Sequence, residues 1–305
     1  MVTLVTGATG FLGQYLLPYL KNLPPHETIY SCSLNKLKQD ENFSEALDLT
    51  ESKSVLKFIQ KVKPQRVYHL AGIAKVSNEI RFESYFSQNT LSTQILLGAL
   101  ASLDTPVDFF LTSSVHVYGN QAGVVNERAE IKPEGAYGFT KYLAEEALKT
   151  FTQKFPKLRG VVGRLYSCIG PNQPLGFITS DICKKIKALK KTGENTLAVG
   201  PIDSYRRFTD VRDVIKTFPI LLNSPLSSRF EVFNIAPPEE TQVGQVIQTL
   251  LNLEGISAKI VSTQSHNNSF KGLKIDTSKL VHYVPNSTFR PLESTLKDIL
   301  DSTPY

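Results

Sequence analysis

The sequence predicts an α/β protein built on a doubly wound parallel sheet, followed by a smaller α/β region. Three observations predict it. The chain opens on a strand, a glycine-rich turn and an amphipathic helix. Short apolar runs then alternate with helix-period segments through residue 165. Beyond residue 166 the alternation loosens and Pro171, Pro174, Gly176, Gly193, Gly200 and Pro201 break up the chain.

The opening element is the most specific. Residues 2–5 form an apolar run of the kind that becomes a buried parallel strand. Gly7, Gly10 and Gly13 follow at every third position. Phe11, Leu12, Tyr15, Leu16, Tyr19 and Leu20 then recur near helical spacing. Strand, glycine turn and helix together make a dinucleotide site. The helix N-terminus leaves N–H groups unpaired and carries a partial positive charge, which suits a pyrophosphate. The spacing is G-x-x-G-x-x-G preceded by Thr6, not the G-x-G-x-x-G of the general dinucleotide fingerprint. Gly7, Thr9, Gly10, Phe11, Leu12 and Gly13 are the candidate contacts of this turn.

The remaining elements follow in order. Residues 28–33 read as a second strand. An acid at its end would grip an adenine-ribose 2′-hydroxyl, and none is there. Ser33, Asn35, Lys36 and Lys38 stand there instead, a set able to accommodate a 2′-phosphate, which favours NADP(H) over NAD(H). Residues 46–49 read as a short strand containing Asp48 and Leu49. Residues 52–63 form a helix with Val55, Phe58, Ile59 and Val62 on one face, stopped by Pro64. Residues 66–72 run from strand into turn through Leu70, Ala71 and Gly72. Residues 84–103 are mostly helical, 107–114 form a strand ending in hydroxyls, 137–155 form a helix and 158–165 a strand. Later, 232–235 read as a strand, 243–253 as a helix and 262–269 as a polar loop. The division is residues 1–165 for the dinucleotide and catalytic residues, and 166–305 mainly for the substrate, packed on the first part.

Composition narrows the class. With 41% hydrophobic and 20% charged residues, the 305-residue chain is an ordinary globular protein. No apolar stretch approaches the roughly 20 residues of a membrane span, and no basic region precedes an apolar core at the N-terminus. Cys32, Cys168 and Cys183 are too few and too scattered for a disulfide framework or a metal site. Reduced thiols in a cytoplasm are the expectation. The net charge of +6 is dispersed, without an aromatic-interleaved basic stripe, so neither nucleic acid nor a membrane is an expected partner. A mild positive field suits an anionic ligand.

The catalytic signal is Tyr137-Gly138-Phe139-Thr140-Lys141. Tyrosine and lysine four apart share a helix face. An ammonium beside a phenol is expected to lower its pKa from about 10 and make Tyr137 a usable acid or base. Ser114 closes the preceding strand, where a hydroxyl can bond a substrate carbonyl and support a developing alkoxide.

Together these residues resemble the extended short-chain dehydrogenase/reductase family, the nucleotide-sugar epimerases, dehydratases and reductases. Thr6-Gly7-x-x-Gly10-x-x-Gly13 matches the family's cofactor turn, and Asp48-Leu49 its adenine-side acid. His69-Leu70-Ala71-Gly72 is similar to its His-Leu-Ala-Ala strand end, and Asn89 to its helix asparagine. Ser114, Tyr137 and Lys141 match its catalytic residues. The resemblance implies that Tyr137 is the proton donor or acceptor, that Lys141 holds the nicotinamide ribose, and that Ser114 orients the sugar oxygen. It also implies a homodimer through the 84–103 and 137–155 helices.

Two later blocks, residues 164–179 and 206–213, resemble those of GDP-6-deoxy-4-keto-mannose reductases. The resemblance gives Arg206 the sugar nucleotide's diphosphate, and Ser167 and Phe177 places on the substrate side. Departures are local. Ser167 stands where an asparagine is usual, Cys168 where a histidine is, Arg207 where an aspartate is common, and His266 where an arginine helps clamp the nucleotide. Sugar 4,6-dehydratases carry an acid pair after the serine. Here Val115 and His116 follow, with His116 expected to face away. The reading is NAD(P)H-dependent reduction of the C4 keto group of a nucleotide-linked 6-deoxy-4-keto sugar. An NAD-dependent nucleotide-sugar epimerase is the alternative enzyme, and a non-catalytic dinucleotide-binding sensor or scaffold the alternative of another class.

Overall fold

A computed structural model describes residues 1–35, 43–262, 273–285 and 289–304. Its centre is a seven-stranded sheet. The strands are β1 (Val2–Thr6), β2 (Thr28–Ser33), β3 (Ser44–Ala46), β4 (Arg66–His69), β5 (Val107–Ser114), β6 (Leu158–Leu165) and β7 (Phe230–Ile235). Their order is β7-β6-β5-β4-β1-β2-β3. Every pairing is parallel. The order reverses between β1 and β4, so the loops leaving those two strands part to opposite sides and open a crevice at the strands' C-terminal ends.

Helices cover both faces. On one side α2 (Ser52–Val62), α4 (Ser92–Ala101) and α5 (Gly135–Lys154) bury Val55, Phe58, Ile59, Leu96, Leu100, Ala144 and Leu148 against Leu4, Val67, Phe109 and Val162. On the other, α1 (Phe11–Lys21) and α7 (Val211–Asn223) bury Leu16, Leu20, Val214, Phe218 and Leu221 against Val5, Tyr68, Phe110 and Phe233. The apolar strands are therefore sealed on both faces, which is why they lack polar alternation. A third core joins α6 (Ile178–Thr192), α8 (Val243–Glu254) and α10 (Leu292–Ser302) through Ile182, Ile186, Val246, Leu250, Leu296 and Ile299.

The structure departs from the sequence expectations in several places. The third strand is Ser44–Ala46, earlier than expected. Leu47 still bonds Ser33 through its N–H (2.8 Å), and the chain then leaves the sheet edge toward α2. Helices α6, α7 and α10 were not among the expected elements; Pro219 lies inside α7. The expected 84–103 helix starts at Phe82 and passes through one π-helical turn, Phe86–Leu91, between Phe82–Tyr85 and α4. Apart from Ser262, which ends a short strand, the expected 262–269 loop lies outside the described residues. Past residue 166 the chain returns to the first sheet twice, supplying α7 to one face and β7 to the edge.

Candidate active site

The crevice is a cleft of about 390 Å³. One end is the glycine turn. Gly7 holds φ of +68°, a left-handed conformation that excludes most side chains, and a Cβ there would fall 2.6 Å from the Ala71 nitrogen. A Cβ on Gly13 would fall 2.5 Å from the Gly7 carbonyl oxygen. Gly10 begins α1 with no side-chain cap, so the first helical amides remain available to a ligand. Gly7, Gly10, Phe11, Leu12, Gly13, Leu70 and Gly72 all line the cleft. Thr9 and Ala71 do not; the Ala71 N–H is taken by the Thr6 hydroxyl (3.3 Å).

Behind this turn lies a buried relay of neutral groups. Thr6 and His69 are register partners on β1 and β4. The Thr93 hydroxyl donates to the Asn89 carbonyl (2.7 Å) and so accepts from His69 Nε2 (2.9 Å). Nδ1 is then the acceptor for Thr6 Oγ1 (2.7 Å). Burial, and the charge of Lys141, push the imidazole down to about 3, which keeps His69 neutral. Asn89, expected at the cofactor, does not line the cleft. Its side chain grips the backbone of Ile73 (N–H to Oδ1 2.8 Å, Nδ2 to O 3.3 Å) and shapes the turn after β4. A Cβ on Gly72 would meet Asn89 Oδ1 at 2.5 Å. Thr90 and Asn89 also bond Thr140, so the π-turn docks α5 between Tyr137 and Lys141.

The catalytic candidates come together. Ser114, Tyr137 and Lys141 line the cleft opposite the glycine turn. The Ser114 side chain accepts from the His116 N–H (3.3 Å), capping the turn Val115–Tyr118, and also bonds Tyr137. The expected lowering of the Tyr137 pKa is corrected here. Burial pushes the phenol up to about 12, with the Ser114 bond acting in the opposite direction. The Lys141 ammonium points to the Thr112 carbonyl (3.1 Å) and is itself brought down to about 8 by burial, against the opposing pull of Glu145. Desolvation of both groups outweighs the helix-face pairing that the spacing suggested. His116 is a second correction. It does not face away: it lines the cleft, and its ring stands edge-on to Tyr137 with centroids 5.5 Å apart. Burial and the nearby Arg206 lower it to about 4, so it is neutral near pH 7.

The far wall belongs to the second half of the chain. Ser167, Cys168, Gln173, Phe177 and Arg206 line it. Ser167 holds φ of +34°, uncommon for a residue with a β-carbon. The Arg206 guanidinium bonds the buried Tyr166 hydroxyl, which also accepts from the Leu273 N–H (3.0 Å). Tyr166 carries no motif, and only the fold brings it under Arg206. Arg207 turns away, toward Glu240 (3.5 Å) and the Pro237 carbonyl (3.2 Å). Of the residues expected to meet the adenosine, Ser33, Asn35 and Asp48 do not line the cleft. Asp48 accepts from the N–H and hydroxyl of Thr50 (2.9 and 2.7 Å), and Leu49 buries its side chain in the core. Lys36, Lys38 and His266 lie outside the described residues. Among the described residues, no group of three or more His, Cys, Asp or Glu side chains could hold a metal ion, and no helix is long and apolar enough to cross a membrane.

The NAD dependent epimerase/dehydratase family matches residues 3–236, from β1 through β7. The chain belongs to this family. It is an NAD(P)-dependent enzyme of the extended short-chain dehydrogenase/reductase type. Among family members, GDP-6-deoxy-D-mannose reductase of Pseudomonas aeruginosa is 29% identical over 270 residues, 84% of this chain and 81% of that protein. GDP-6-deoxy-D-talose 4-dehydrogenase of Aggregatibacter actinomycetemcomitans is 27% identical over 256 residues, 83% and 80% respectively. The solved structure of RMD from Pseudomonas aeruginosa, complexed with NADPH, superposes with a TM-score of 0.83 at 26% identity, covering 99% of this chain and 98% of that one. A UDP-glucuronic acid 4-epimerase from Bacillus cereus, in complex with UDP-glucuronic acid and NAD, shares the fold at a TM-score of 0.85 and 24% identity, covering 99% of each chain.

Proposed function

We propose that this protein reduces the C4 keto group of a nucleotide-linked 6-deoxy-4-keto sugar of the GDP-4-keto-6-deoxymannose type, using NADPH. The observation that carries the reading is one cleft lined together by the glycine turn, by Ser114, Tyr137 and Lys141, and by Arg206. The cradle fits a dinucleotide, because a Cβ at Gly7 or Gly13 would strike backbone and the α1 amides are uncapped. Gly7, Gly10, Phe11, Leu12 and Gly13 would hold the pyrophosphate end, and Lys141 the nicotinamide ribose. When bound, the reduced nicotinamide supplies a hydride to the carbonyl carbon.

The chain's own residues do the rest. Tyr137, held neutral at physiological pH, carries the proton that the carbonyl oxygen needs as it becomes an alkoxide. Ser114 bonds Tyr137, which favours the phenolate left behind, and offers its hydroxyl to the same oxygen. Arg206 presents a fork suited to a diphosphate. The neutral His116 leaves the site without a carboxylate at that position, which speaks against elimination of a 6-hydroxyl. The Ser33, Asn35, Lys36 and Lys38 set that follows β2 in the sequence, a hydroxyl, an amide and two cations, would accommodate a 2′-phosphate. Two copies would pair through the helical stretch running from Phe82 through α4 and through α5, where the exposed Phe82 packs with Phe86 and with the exposed Phe139; sedimentation should show a dimer, and a monomer at assay concentration would sink that part.

The test is NADPH absorbance during incubation with GDP-4-keto-6-deoxymannose. One NADPH should be consumed per sugar reduced, and NADH should serve less well. Protein that retains tightly bound NAD and interconverts a UDP-sugar without net NADPH consumption would establish the epimerase instead.

A further inference from the structure

One turn beyond Lys141 on α5 sits Glu145, a carboxylate only 2% exposed, and the proposed reaction has no use for it. Its surroundings are fully built. Arg164, itself 4% exposed, meets it with a fork: Nε to Oε1 at 3.0 Å and Nη2 to Oε2 at 2.6 Å. Ser113, the neighbour of Ser114, donates its hydroxyl to Oε1. Arg164 Nη1 donates to the Tyr118 hydroxyl (2.8 Å), and Tyr118 donates to Asn234 (2.7 Å). A buried ion pair of this kind is a weak contributor to stability, since well-packed apolar residues of similar volume often do as well or better. Its cost is set against a more specific gain.

We propose that Glu145 is a positioning residue for Lys141 and its neighbours: clasped by Arg164 and Ser113, its carboxylate stands on the Lys141 face of α5 and braces the ends of β5 and β6 that lead to Ser114 and Ser167. The inference rests on the assignment of Tyr137 and Lys141 as the working pair. Four geometric links support it. Glu145 follows Lys141 by four residues, so both project from one helix face. Ser113 ties it to the end of β5, directly before Ser114. Arg164 ties it to the end of β6, three residues before Ser167. Tyr118 and Asn234 extend the chain of bonds to the turn after β5 and to β7.

The groups packed around Lys141 make the electrostatic half specific. From β4 comes His69, neutral. From β5 comes the Thr112 carbonyl, which accepts from the Lys141 ammonium (3.1 Å). From α5 come the neutral Tyr137 and the anionic Glu145, with Tyr85 beside Tyr137 from the preceding helical turn. From β6 comes the cationic Arg164. Within this set Glu145 is the anion. It opposes the burial that brings Lys141 down to about 8. Glu145→Gln deletes that opposing pull, which favours the neutral amine.

The experiment measures NADPH affinity by fluorescence titration from pH 6 to pH 10, with unfolding temperature recorded alongside. Wild-type affinity should weaken above about pH 8 as Lys141 loses its proton, and Lys141→Met should lack that limb. E145Q should move the limb down by about one pH unit or more. Glu145→Asp, which retains the charge, should fall between the two. Should E145Q fail to fold, the paired substitution E145Q with Arg164→Met removes both buried charges, and its limb should still lie below wild type. A folded variant lacking the Glu145 carboxylate whose limb coincides with wild type would overturn the inference. Because this readout needs no sugar substrate, failure of the reductase assay and failure of this inference are separate results.

Discussion

The two walls of the cleft are built differently. The catalytic wall, from β5, α5 and the end of β6, is rooted in buried polar groups: Glu145, Arg164, Ser113, Thr112 and His69 each bond a partner from another element. The opposite wall is made of turns and two-residue strands. Ser167 sits in a left-handed conformation, residues 173–177 are pinned by Gln173 to the Cys168 carbonyl (2.8 Å) and by Asp181 to the Gly176 N–H (2.7 Å), and Arg206 bonds the Tyr166 hydroxyl and the Tyr205 carbonyl (2.8 Å). On the proposed reading, the chemistry is held by interlocked buried groups, whereas recognition falls to a rim whose side chains can change without disturbing the sheet.

That contrast can be broken by substitution. The largest effect belongs to Tyr137→Phe, which should reduce kcat by about 10²–10⁴-fold while NADPH affinity changes little; comparable turnover in the variant would remove Tyr137 from the mechanism. Gly13→Val comes next. Its side chain would strike the Gly7 carbonyl, and overpacking of about 1–3 kcal/mol should weaken NADPH binding by about 10–100-fold in an equilibrium titration. On the other wall, Arg206→Leu should raise the KM for the nucleotide sugar by about 10-fold or more, since a charged hydrogen bond is worth about 1.5–3 kcal/mol, and leave the NADPH Kd unchanged. A loss confined to kcat there would erase the division between the walls.

A smaller effect tests the buried histidines. His69 and His116 are held neutral down to about 3 and about 4, while the unfolded chain takes up protons below about 6.5. The unfolded state therefore binds more protons in that window, and stability should fall as pH drops from about 6.5 toward 4. His116→Gln should flatten the slope of unfolding temperature against pH. The smallest effect is expected at Ser167. Asparagine tolerates left-handed backbone better than serine, so Ser167→Asn should stabilise the fold by no more than about 1 kcal/mol. A large destabilisation would mean that the serine hydroxyl itself supports the far wall.

The same contrast explains what could be read in advance. Gly7, Gly10 and Gly13 were legible because strand, turn and helix lie within thirteen residues, and Tyr137 and Lys141 because a helix repeats locally. The protonation of Tyr137 was not legible, because spacing says nothing about desolvation. The direction of His116 depends on the short 3₁₀ turn Val115–Tyr118, which re-aims one side chain. The contact of Asn89 with the Ile73 backbone was not legible, because a π-turn breaks the helical spacing there. Glu145 lies at an obvious helical interval, yet its partner Arg164 is on a strand 19 residues away, and only the sheet order joins them. Arg206 and Arg207 are adjacent in sequence and opposite in direction, a distinction that composition cannot make.

The return of β7 to the edge of the first sheet has a further consequence. Phe230–Ile235 pairs along its whole length with β6, and α7 covers the face beneath Tyr68 and Phe110. Cutting the chain after residue 165 would therefore not release a free-standing cofactor-binding half. It would bare an unpaired strand edge and strip the apolar cover from one side of the sheet, both invitations to aggregate. The two halves are one folding unit whose order of synthesis matters: the cofactor turn is made first, but the layer beneath it is completed only when residues past 235 have emerged.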